Sequence, residues 1–323
     1  MITSYDTFRV SLFLVCIALV YYLALRWCVD RWCNKEIKST TERIFRSRKT
    51  GIALLLIAAS GVLCIFYGFV VEPSRLTVTH YEIQTTKLGP DERVRIVQLA
   101  DLHIREHGPR ERALPALVES LEPDLILHTG DFFADEGMEP VVAAVLKSWN
   151  VPQYACEGNL DTLGELRLML QDAGVQLLDG TLATFKKVGS STPIVIAGFP
   201  SGAESYGMKP LLQRLAPDTF NIVLYHHPQG FPVTWDTHTD LMLAGHTHGG
   251  QIRLPFYGAL VTLDAYGKRW ESGFFEEHGV GLVVSRGIGC EPHVPEVRFL
   301  CPPEVVVIDI VGQASRQAGP SLI

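Results

Sequence analysis

Two long apolar segments near the amino terminus are the strongest feature of the hydrophobic pattern. Residues 10–29 contain one charged side chain, Arg26, and residues 51–71 contain none. About 20 helical residues span the hydrocarbon core of a bilayer, which is roughly 30 Å thick. The pattern therefore predicts two transmembrane helices joined by a polar loop. A cleaved signal peptide is disfavoured, because no small-residue cleavage site precedes that loop.

After residue 71 the pattern changes to short apolar runs with turn residues between them. Strands are predicted near residues 93–100, 124–128, 151–156, 194–199, 221–226, 240–245, 280–285 and 304–310. Helical periodicity predicts helices over 109–121, 139–149, 163–172 and 209–215. Alternation of strands and helices favours an α/β layered fold, and the strand-rich later part implies a second sheet packed on the first.

This change in pattern predicts three parts of the chain. Residues 1–71 form a membrane anchor, residues 72–312 form one domain of sufficient length for a large core, and residues 313–323 form a loose polar tail. We expect the domain to be the part that carries the chemistry, because the anchor has little beyond apolar side chains and a basic loop.

Charge is distributed unevenly along the chain. Residues 1–71 hold nine basic and four acidic side chains, a net charge of +5, so that the total of −7 leaves −12 on residues 72–323. An acidic domain of this kind disfavours nucleic-acid binding. The loop 30–50 holds seven basic and three acidic side chains, which the positive-inside rule places in the cytoplasm. Both termini and the domain are then expected on the non-cytoplasmic side.

The candidate chemistry lies where five of the predicted strands end. Each of these ends is followed by Asp, Asn or His, and the side chains are Asp101, His103, Asp131, Asn159, His226, His246 and His248. Ligands of α/β proteins collect at the carboxyl ends of strands. One such residue is more often a turn cap, but five ends together favour a metal site. Nitrogen and oxygen donors without Cys suit Mn²⁺, Fe or Zn²⁺.

The order of these motifs resembles the calcineurin-like metallophosphoesterases. The motifs are Asp-x-His at 101–103, Gly-Asp at 130–131, Gly-Asn-x-Asp at 158–161, His226 and Gly-His-x-His at 245–248. Segments 245–255, 285–289 and 297–304 resemble the membrane-associated branch of that superfamily, and the similarity covers about residues 92–312. The resemblance implies a four-layer sandwich of two facing mixed β-sheets flanked by helices.

The resemblance also implies a centre with two divalent metal ions, with Mn²⁺ as the first candidate and Fe or Zn²⁺ as alternatives. Asp101, His103 and His248 would hold one ion, Asn159, His226 and His246 the other, and Asp131 would bridge them. In such centres the ions lie about 3.5–4 Å apart, and a metal-bound hydroxide attacks phosphorus in line. Asp131, Asn159 and His246 are the residues expected at the reacting phosphoryl group. Asp161 and Asp240 are candidates for orienting the ligands.

One position departs from the family pattern. The family usually has Gly-Asn-His-Asp, and Leu160 replaces the histidine that can protonate a leaving group. The first interpretation is a leaving group that needs no acid, such as the phosphate of an anhydride. Related enzymes that split UDP-2,3-diacylglucosamine, a lipid A precursor, also lack this histidine. The second is that another residue supplies the proton: His128, Glu157 or His227. The third is a metal-binding scaffold without strong catalysis.

These observations favour a membrane-anchored metal-dependent hydrolase of a phosphoanhydride or phosphodiester, with a lipid-linked nucleoside diphosphate as the sharpest hypothesis. A general phosphomonoesterase or phosphodiesterase of the cell envelope is the alternative. Arg105, Arg253 and Arg298 are candidate contacts for an anionic substrate. The expected partners are a phosphorylated small molecule or lipid and the membrane, and no pattern indicates a protein partner. The predicted outward-facing domain conflicts with a lipid precursor on the cytoplasmic leaflet, and both interpretations stay open.

Overall fold

The computed structural model describes residues 4–33, 36–105, 108–135, 137–161, 163–292 and 294–313. Apart from Gln313, the predicted carboxyl-terminal tail lies outside these ranges, as do His107 and His293. The helices are α1 Ser4–Trp32, α2 Thr40–Phe45, α3 Arg48–Phe66, α4 Pro109–Ser120, α5 Glu139–Leu146, α6 Leu163–Ala173, α7 Met208–Leu212 and α8 Phe231–Thr234. A wide turn, Tyr67–Val71, and a tight turn, Glu72–Ser74, extend α3.

The two apolar segments form α1 and α3, which pack side by side as a helical hairpin. Both helices are long and apolar enough to cross a membrane, judged by length and composition. Gly51 and Gly61 of α3 permit this packing, because a Cβ at these positions would lie 2.0 Å from the Trp27 ring and 2.6 Å from the Tyr21 hydroxyl oxygen. Close approach at small residues is the usual way in which membrane helices associate.

The strands form two mixed sheets. They are β1 Thr77–Thr85, β2 Arg93–Leu99, β3 Leu125–His128, β4 Gln153–Ala155, β5 Gln176–Leu177, β6 Thr181–Phe185, β7 Ile194–Gly198, β8 Phe220–Leu224, β9 Leu241–Ala244, β10 Arg253–Leu254, β11 Gly258–Ala259, β12 Gly273–Glu277, β13 Val280–Val284 and β14 Glu304–Gly312. The first sheet has the order β1-β14-β2-β3-β4-β5 and the second β12-β13-β9-β8-β7-β6, while β10 and β11 form a separate hairpin.

Alternating side chains of the central strands build three apolar layers. Val97 and Leu99 of β2 face the helices α4, α5 and α6, whereas Ile96 faces the second sheet. On the other face of the second sheet, Val223 and Met242 pack against α7 and α8. The order of layers is therefore helices, sheet, sheet, helices, and the predicted four-layer sandwich is confirmed.

All eight predicted strands form, but the sequence pattern did not reveal several outer ones. The strands β1, β6 and β12 lie at the edges of the sheets, where alternate side chains face solvent. Because such strands bury only one face, they carry polar residues and lack a continuous apolar run. The predicted helix over 209–215 is shorter, and α7 ends at Leu212.

Strand register fixes which edge of the first sheet lies beside α3. Thr77, which follows closely after the turn at Ser74, pairs with Glu304, and Val306 pairs with Gln98 near the end of β2. The start of β1 and the carboxyl ends of β2, β3 and β4 therefore lie on the same side of the domain, which we call the carboxyl edge. The starts of β2 and β3 lie at the opposite side, the far edge.

Candidate metal centre

The seven predicted site residues lie together at the carboxyl edge. Each follows a strand within a few residues: Asp101 and His103 follow β2, Asp131 follows β3, Asn159 follows β4, His226 follows β8, and His246 and His248 follow β9. Within the described residues, three groups have ligand atoms within 4.8 Å of one another: Asp101, His103 and His248; Asp101, Asp131 and His226; and His226, His227 and His246. Shared members join the groups into one cluster.

Unusual backbone geometry accompanies this cluster. Five of the seven residues have positive φ angles, a conformation that side chains other than glycine seldom adopt: Asp101 (+48°), His103 (+37°), Asp131 (+57°), His246 (+68°) and His248 (+50°). Such strain persists only where the surrounding structure imposes it, and it concentrates at functional sites. A glycine makes room for one of the turns, because a Cβ at Gly158 would lie 2.0 Å from Asp131 Oδ1.

Asp131 occupies the centre of the cluster. Its Oδ2 lies 3.5 Å from His103 Nε2 and 3.3 Å from His226 Nε2. Its Oδ1 accepts a hydrogen bond of 3.0 Å from the main-chain N–H of Leu160. Asn159 Oδ1 lies 2.9 Å from the same His226 Nε2. One carboxylate thus faces the imidazoles of both His103 and His226.

Main-chain carbonyls, and not carboxylates, orient the histidine rings. His226 Nδ1 donates to Thr129 O at 2.7 Å, and His103 Nδ1 lies 3.2 Å from Phe133 O. These contacts direct the other ring nitrogen of each residue toward Asp131. A ring nitrogen held by a hydrogen bond of this kind fixes the tautomer of a metal-binding histidine.

The two carboxylates considered for that orienting role act elsewhere. Asp161 accepts 2.9 Å hydrogen bonds from the main-chain N–H groups of Asp131, Phe132 and Gly158, so it holds the loops and not the rings. Asp240 precedes β9, accepts from Asn221 N at 2.7 Å and pairs with Lys87 at 2.8 Å. It therefore lies at the far edge, where its role is structural.

Buried nitrogen atoms show that the cluster fits divalent cations. Within the described residues, His103 Nε2 and His248 Nε2 are buried and have no hydrogen-bond partner. Their rings stack with centroids 5.0 Å apart. A buried polar atom without a partner is costly, and a cation beside Asp101 would satisfy both nitrogens. His226 Nε2 likewise faces two oxygen atoms, a position suited to a positive charge.

Burial and neighbouring charges set the pKa values of the clustered side chains. Burial raises the pKa of Asp101 to about 7. Burial opposes the charged form of Asp131 as well, but His226 and His103 hold the pKa of its carboxyl well below the ordinary value. Burial would lower the pKa of His226, yet Asp131 and Asp101 raise it to about 10. A proton on His226 partly offsets the negative charge of these buried carboxylates.

One side of the cluster is open to solvent. Asn159 is exposed and His246 half-buried, whereas Asp101, His103, Asp131, His226 and His248 are buried. A phosphoryl group can therefore approach from the side of Asn159 and His246. Leu160, which directly follows Asn159, is also half-buried.

His227 also enters the cluster, which its sequence position only suggested. Its ring centroid lies 4.1 Å from that of His246, and its Nε2 lies 2.8 Å from Ser201 Oγ. Burial, together with His226 and His246, lowers the pKa of His227 to about 2. The ring is therefore neutral at physiological pH. In the sequence, the signal that could have placed His227 in the cluster was its position next to His226, directly after a buried strand.

The other candidate side chains lie outside the cluster or are committed to other contacts. His128 packs on Phe132 in the core, where its Nε2 lies 3.0 Å from Gln153 Oε1. Arg298 is fully buried and donates to main-chain carbonyls, among them Cys301 O at 3.1 Å. The remaining arginine candidates pair with acidic side chains: Arg253 with Glu271 at 2.7 Å and Arg105 with Asp135 at 3.6 Å.

Comparison with known proteins gives consistent results. Residues 94–250 match the family described as Calcineurin-like phosphoesterase. The uncharacterized metallophosphoesterase YkuE of Bacillus subtilis is 29% identical over 261 residues, covering 76% of this chain and 89% of that protein. The phosphodiesterase YaeI of Escherichia coli is 29% identical over 237 residues, covering 67% and 82%. UDP-2,3-diacylglucosamine pyrophosphatase LpxG of Chlamydia muridarum is 24% identical over 319 residues, covering 80% and 96%.

Proposed function

We propose that the chain is a membrane-anchored, dinuclear metal-dependent phosphohydrolase of phosphoanhydrides or phosphodiesters, which the match of residues 94–250 to the calcineurin-like phosphoesterase family supports. The observation that carries this proposal is the convergence of seven nitrogen and oxygen donors at one edge, where the Nε2 atoms of His103 and His248 are buried without a hydrogen-bond partner. A lipid-linked nucleoside diphosphate is the substrate class that fits best.

The donors divide between two ions, for which we propose Mn²⁺. Asp101, His103 and His248 hold one ion, and Asn159, His226 and His246 hold the other, with Asp131 shared between them. The position of the Asp131 carboxylate, facing both His103 and His226, supports this division. When bound, the ions lower the pKa of water and neutralise charge on the phosphoryl oxygens. Asn159 and His246, at the open side, orient the phosphoryl group.

The contacts around Leu160 support an activated leaving group. Leucine has no proton to donate, and its main-chain N–H is committed to Asp131. Neither histidine considered as a substitute is suited to act as an acid, because His227 is neutral and His128 is buried in the core away from the cluster. General acid catalysis contributes about 10²–10⁴-fold, a loss that an alkyl ester suffers and a phosphoanhydride largely avoids.

The orientation of the domain supports a substrate that resides in the bilayer. The carboxyl edge, which holds the donors, is the side of the first sheet from which β1 connects to α3. The apolar helices α1 and α3 expose large side chains such as Leu19 and Leu63, which suits a lipid environment. A phosphate group at the membrane surface can then reach the cluster while its lipid chains stay in the bilayer. The similarity to LpxG favours the same class.

A substrate panel tests the proposed activity. Full-length protein in lipid nanodiscs with Mn²⁺ is assayed on UDP-2,3-diacylglucosamine, bis-p-nitrophenyl phosphate and an alkyl phosphomonoester. We expect turnover of the anhydride and the activated diester and little turnover of the alkyl monoester. Equal rates on all three contradict the leaving-group argument. Metal binding without turnover on any of them favours the scaffold interpretation.

The domain is proposed to face the non-cytoplasmic side. The basic loop 30–50 lies at one end of the helical hairpin, where Arg46 donates to Asp30 O at 2.8 Å. At the other end, Arg9 lies against Tyr257 of the domain. If the basic loop is cytoplasmic, the domain is on the opposite side. Protease treatment of intact spheroplasts should then cleave the domain, and the lipid-linked substrate would lie in the outer leaflet. Protection of the domain contradicts this topology and favours a lipid precursor on the cytoplasmic leaflet as the substrate.

A further inference from the structure

The hairpin of residues 253–259, formed by β10 and β11, displays aromatic rings to the exterior. The Phe256 side chain is fully exposed, and that of Tyr257 is 43% exposed. Leu300, on a neighbouring loop, is 46% exposed. Large apolar side chains grouped in this way are unfavourable in water and mark surfaces that contact a protein or a membrane. We call residues 253–259 the aromatic hairpin.

The turn at the tip of this hairpin holds Phe256 in a strained conformation. The N–H of Tyr257 donates to Leu254 O at 3.2 Å, which closes a four-residue turn with Pro255 at its second position. Phe256, at the third position, has φ of +63°, where turns of this kind favour glycine or asparagine. A bulky aromatic residue there costs conformational energy, and observed strain of this type suggests a function for the displayed ring.

Contacts with α1 and with the segment that follows α3 fix the position of the aromatic hairpin relative to the two apolar helices. On one side, the Arg9 guanidinium carbon of α1 lies 5.9 Å from the centre of the Tyr257 ring. On the other side, Arg253 N donates to Phe299 O at 2.9 Å, and the Phe299 ring packs edge-on against Tyr67 with centroids 6.4 Å apart. Arg9 immediately precedes the apolar part of α1. Tyr67 directly follows α3, in the later part of the apolar span Arg48–Ser74.

The hairpin is also attached to the metal cluster. Arg253 Nη1 donates to Gly249 O at 2.9 Å, and Gly249 directly follows His248. Lys268 Nζ lies 3.7 Å from the centre of the Tyr257 ring, so that a cation and aromatic rings lie together. Aromatic and basic side chains are the pair that proteins place at the membrane–water boundary. The aromatic hairpin thus links side chains typical of the membrane–water boundary to the carboxyl edge.

We infer that the aromatic hairpin docks into the lipid surface, with Phe256 and Tyr257 inserted into the interfacial layer of the bilayer that α1 and α3 span. The inference rests on the membrane anchoring given under the proposed function. Docking holds the carboxyl edge against the headgroups, so the phosphate of a lipid-linked substrate reaches the cluster without leaving the bilayer. Insertion releases the ordered water around the exposed rings and places Arg9 and Lys268 among lipid phosphates.

Depth-dependent quenching tests the inference without requiring activity. The full-length chain, Phe256→Trp and Val188→Trp are each placed in nanodiscs of phosphatidylcholine, with or without bromine on the acyl chains. Val188 is the matched control, because it is fully exposed and its neighbour Lys187 contacts Arg93 and Asp124 at the far edge. Native Trp27 lies on α1, so quenching of the unsubstituted chain reports on anchoring.

We expect bromine to quench the tryptophan emission of the unsubstituted chain, which we call the native emission. The added emission, which is the difference between a variant and the unsubstituted chain, should be blue-shifted in Phe256→Trp and should also be quenched by bromine. The added emission in Val188→Trp should stay unquenched. If the native emission is quenched but the added emission of Phe256→Trp is not, the docking inference is overturned and the anchor stands. If neither is quenched, anchoring and docking are both wrong. An added emission in Phe256→Trp that is blue-shifted but insensitive to bromine indicates a second copy or a protein partner on the hairpin, and this too overturns lipid docking.

Discussion

The carboxylates of the metal cluster and those at the far edge have different partners. At or near the far edge, three carboxylates are paired with basic side chains: Asp240 with Lys87 and Asp124 with Lys187, both at 2.8 Å, and Asp309 with Arg95 at 2.9 Å. At the carboxyl edge, the fully buried Asp101 and Asp131 face imidazoles and main-chain N–H groups. One edge therefore neutralises charge within the protein, while the other retains lone pairs that can coordinate cations.

The backbone of the metal cluster also differs from that of the three far-edge carboxylates, which have no positive φ angle. Positive φ angles occur at five of the seven donors of the carboxyl edge, although extended or helical backbone would be less strained. The strands that lead to these turns are buried on both faces and anchor them firmly. The rigid core of the strands thus supports strain at their carboxyl ends, where the donors must be placed precisely.

Removal of the shared carboxylate should have the largest effect. Loss of a residue that only orients a metal ligand costs about 10–100-fold in affinity or activity. Because Asp131 faces both halves of the cluster, we expect Asp131→Ala to reduce turnover by more than this and metal content to below one ion per chain. Elemental analysis and the anhydride assay measure both effects.

The matched control for this substitution lies at the far edge. Asp240→Ala removes an equally committed carboxylate, but we expect it to leave metal content unchanged while lowering the thermal stability, because Asn221 N and Lys87 lose their partner. If the two variants lose metal equally, the contrast between the edges is wrong.

Replacement of Leu160 should have the next largest effect. Leu160→His introduces a proton donor at the open side, and we expect a selective gain on alkyl monoesters of up to about 10²–10⁴-fold, with little change on anhydrides. Leu160→Met is the control, since it retains an apolar side chain of similar size. Parallel changes on both substrate classes would show that the position affects packing and not proton transfer.

Proton release on metal binding should be smaller but directly measurable. In the metal-free chain the pKa of His226 is about 10, so the ring carries a proton at pH 8 that a cation must displace. Mn²⁺ binding should therefore release at least about one proton per chain, and the affinity should rise with pH up to about pH 10. Titration calorimetry in two buffers of different ionisation enthalpy measures the release. Heats that are independent of the buffer contradict the role of His226.

Much of the carboxyl edge was predictable because parallel strands bring their carboxyl ends together. The central strands are buried on both faces, so their apolar runs are visible in the sequence, and the donors follow these runs directly. The edge strand β1 was not predicted, because it buries only alternate side chains and begins with threonines. Prediction succeeded where burial is continuous along the chain.

Other features of the site depend on tertiary packing. The carbonyls of Thr129 and Phe133 orient the rings of His226 and His103, and a main-chain oxygen has no signature in the sequence. The position of His227 beside His246 requires two loops from different strands to meet. The direction of the carboxyl edge toward α3 follows from the register of β1 and β14, which pair residues more than 200 positions apart.

The smallest predicted effect concerns the far edge alone. The Lys87 and Asp240 side chains are 23% and 22% exposed, so water screens part of their attraction. Because exposed ion pairs contribute about 0–1 kcal/mol, we expect Lys87→Gln to lower the free energy of unfolding by about 1 kcal/mol or less. A thermal melt in nanodiscs should show a small decrease in Tm, with unchanged metal content and turnover. A loss of metal in this variant would mean that the far edge acts on the cluster through β9, and that the two edges are not independent.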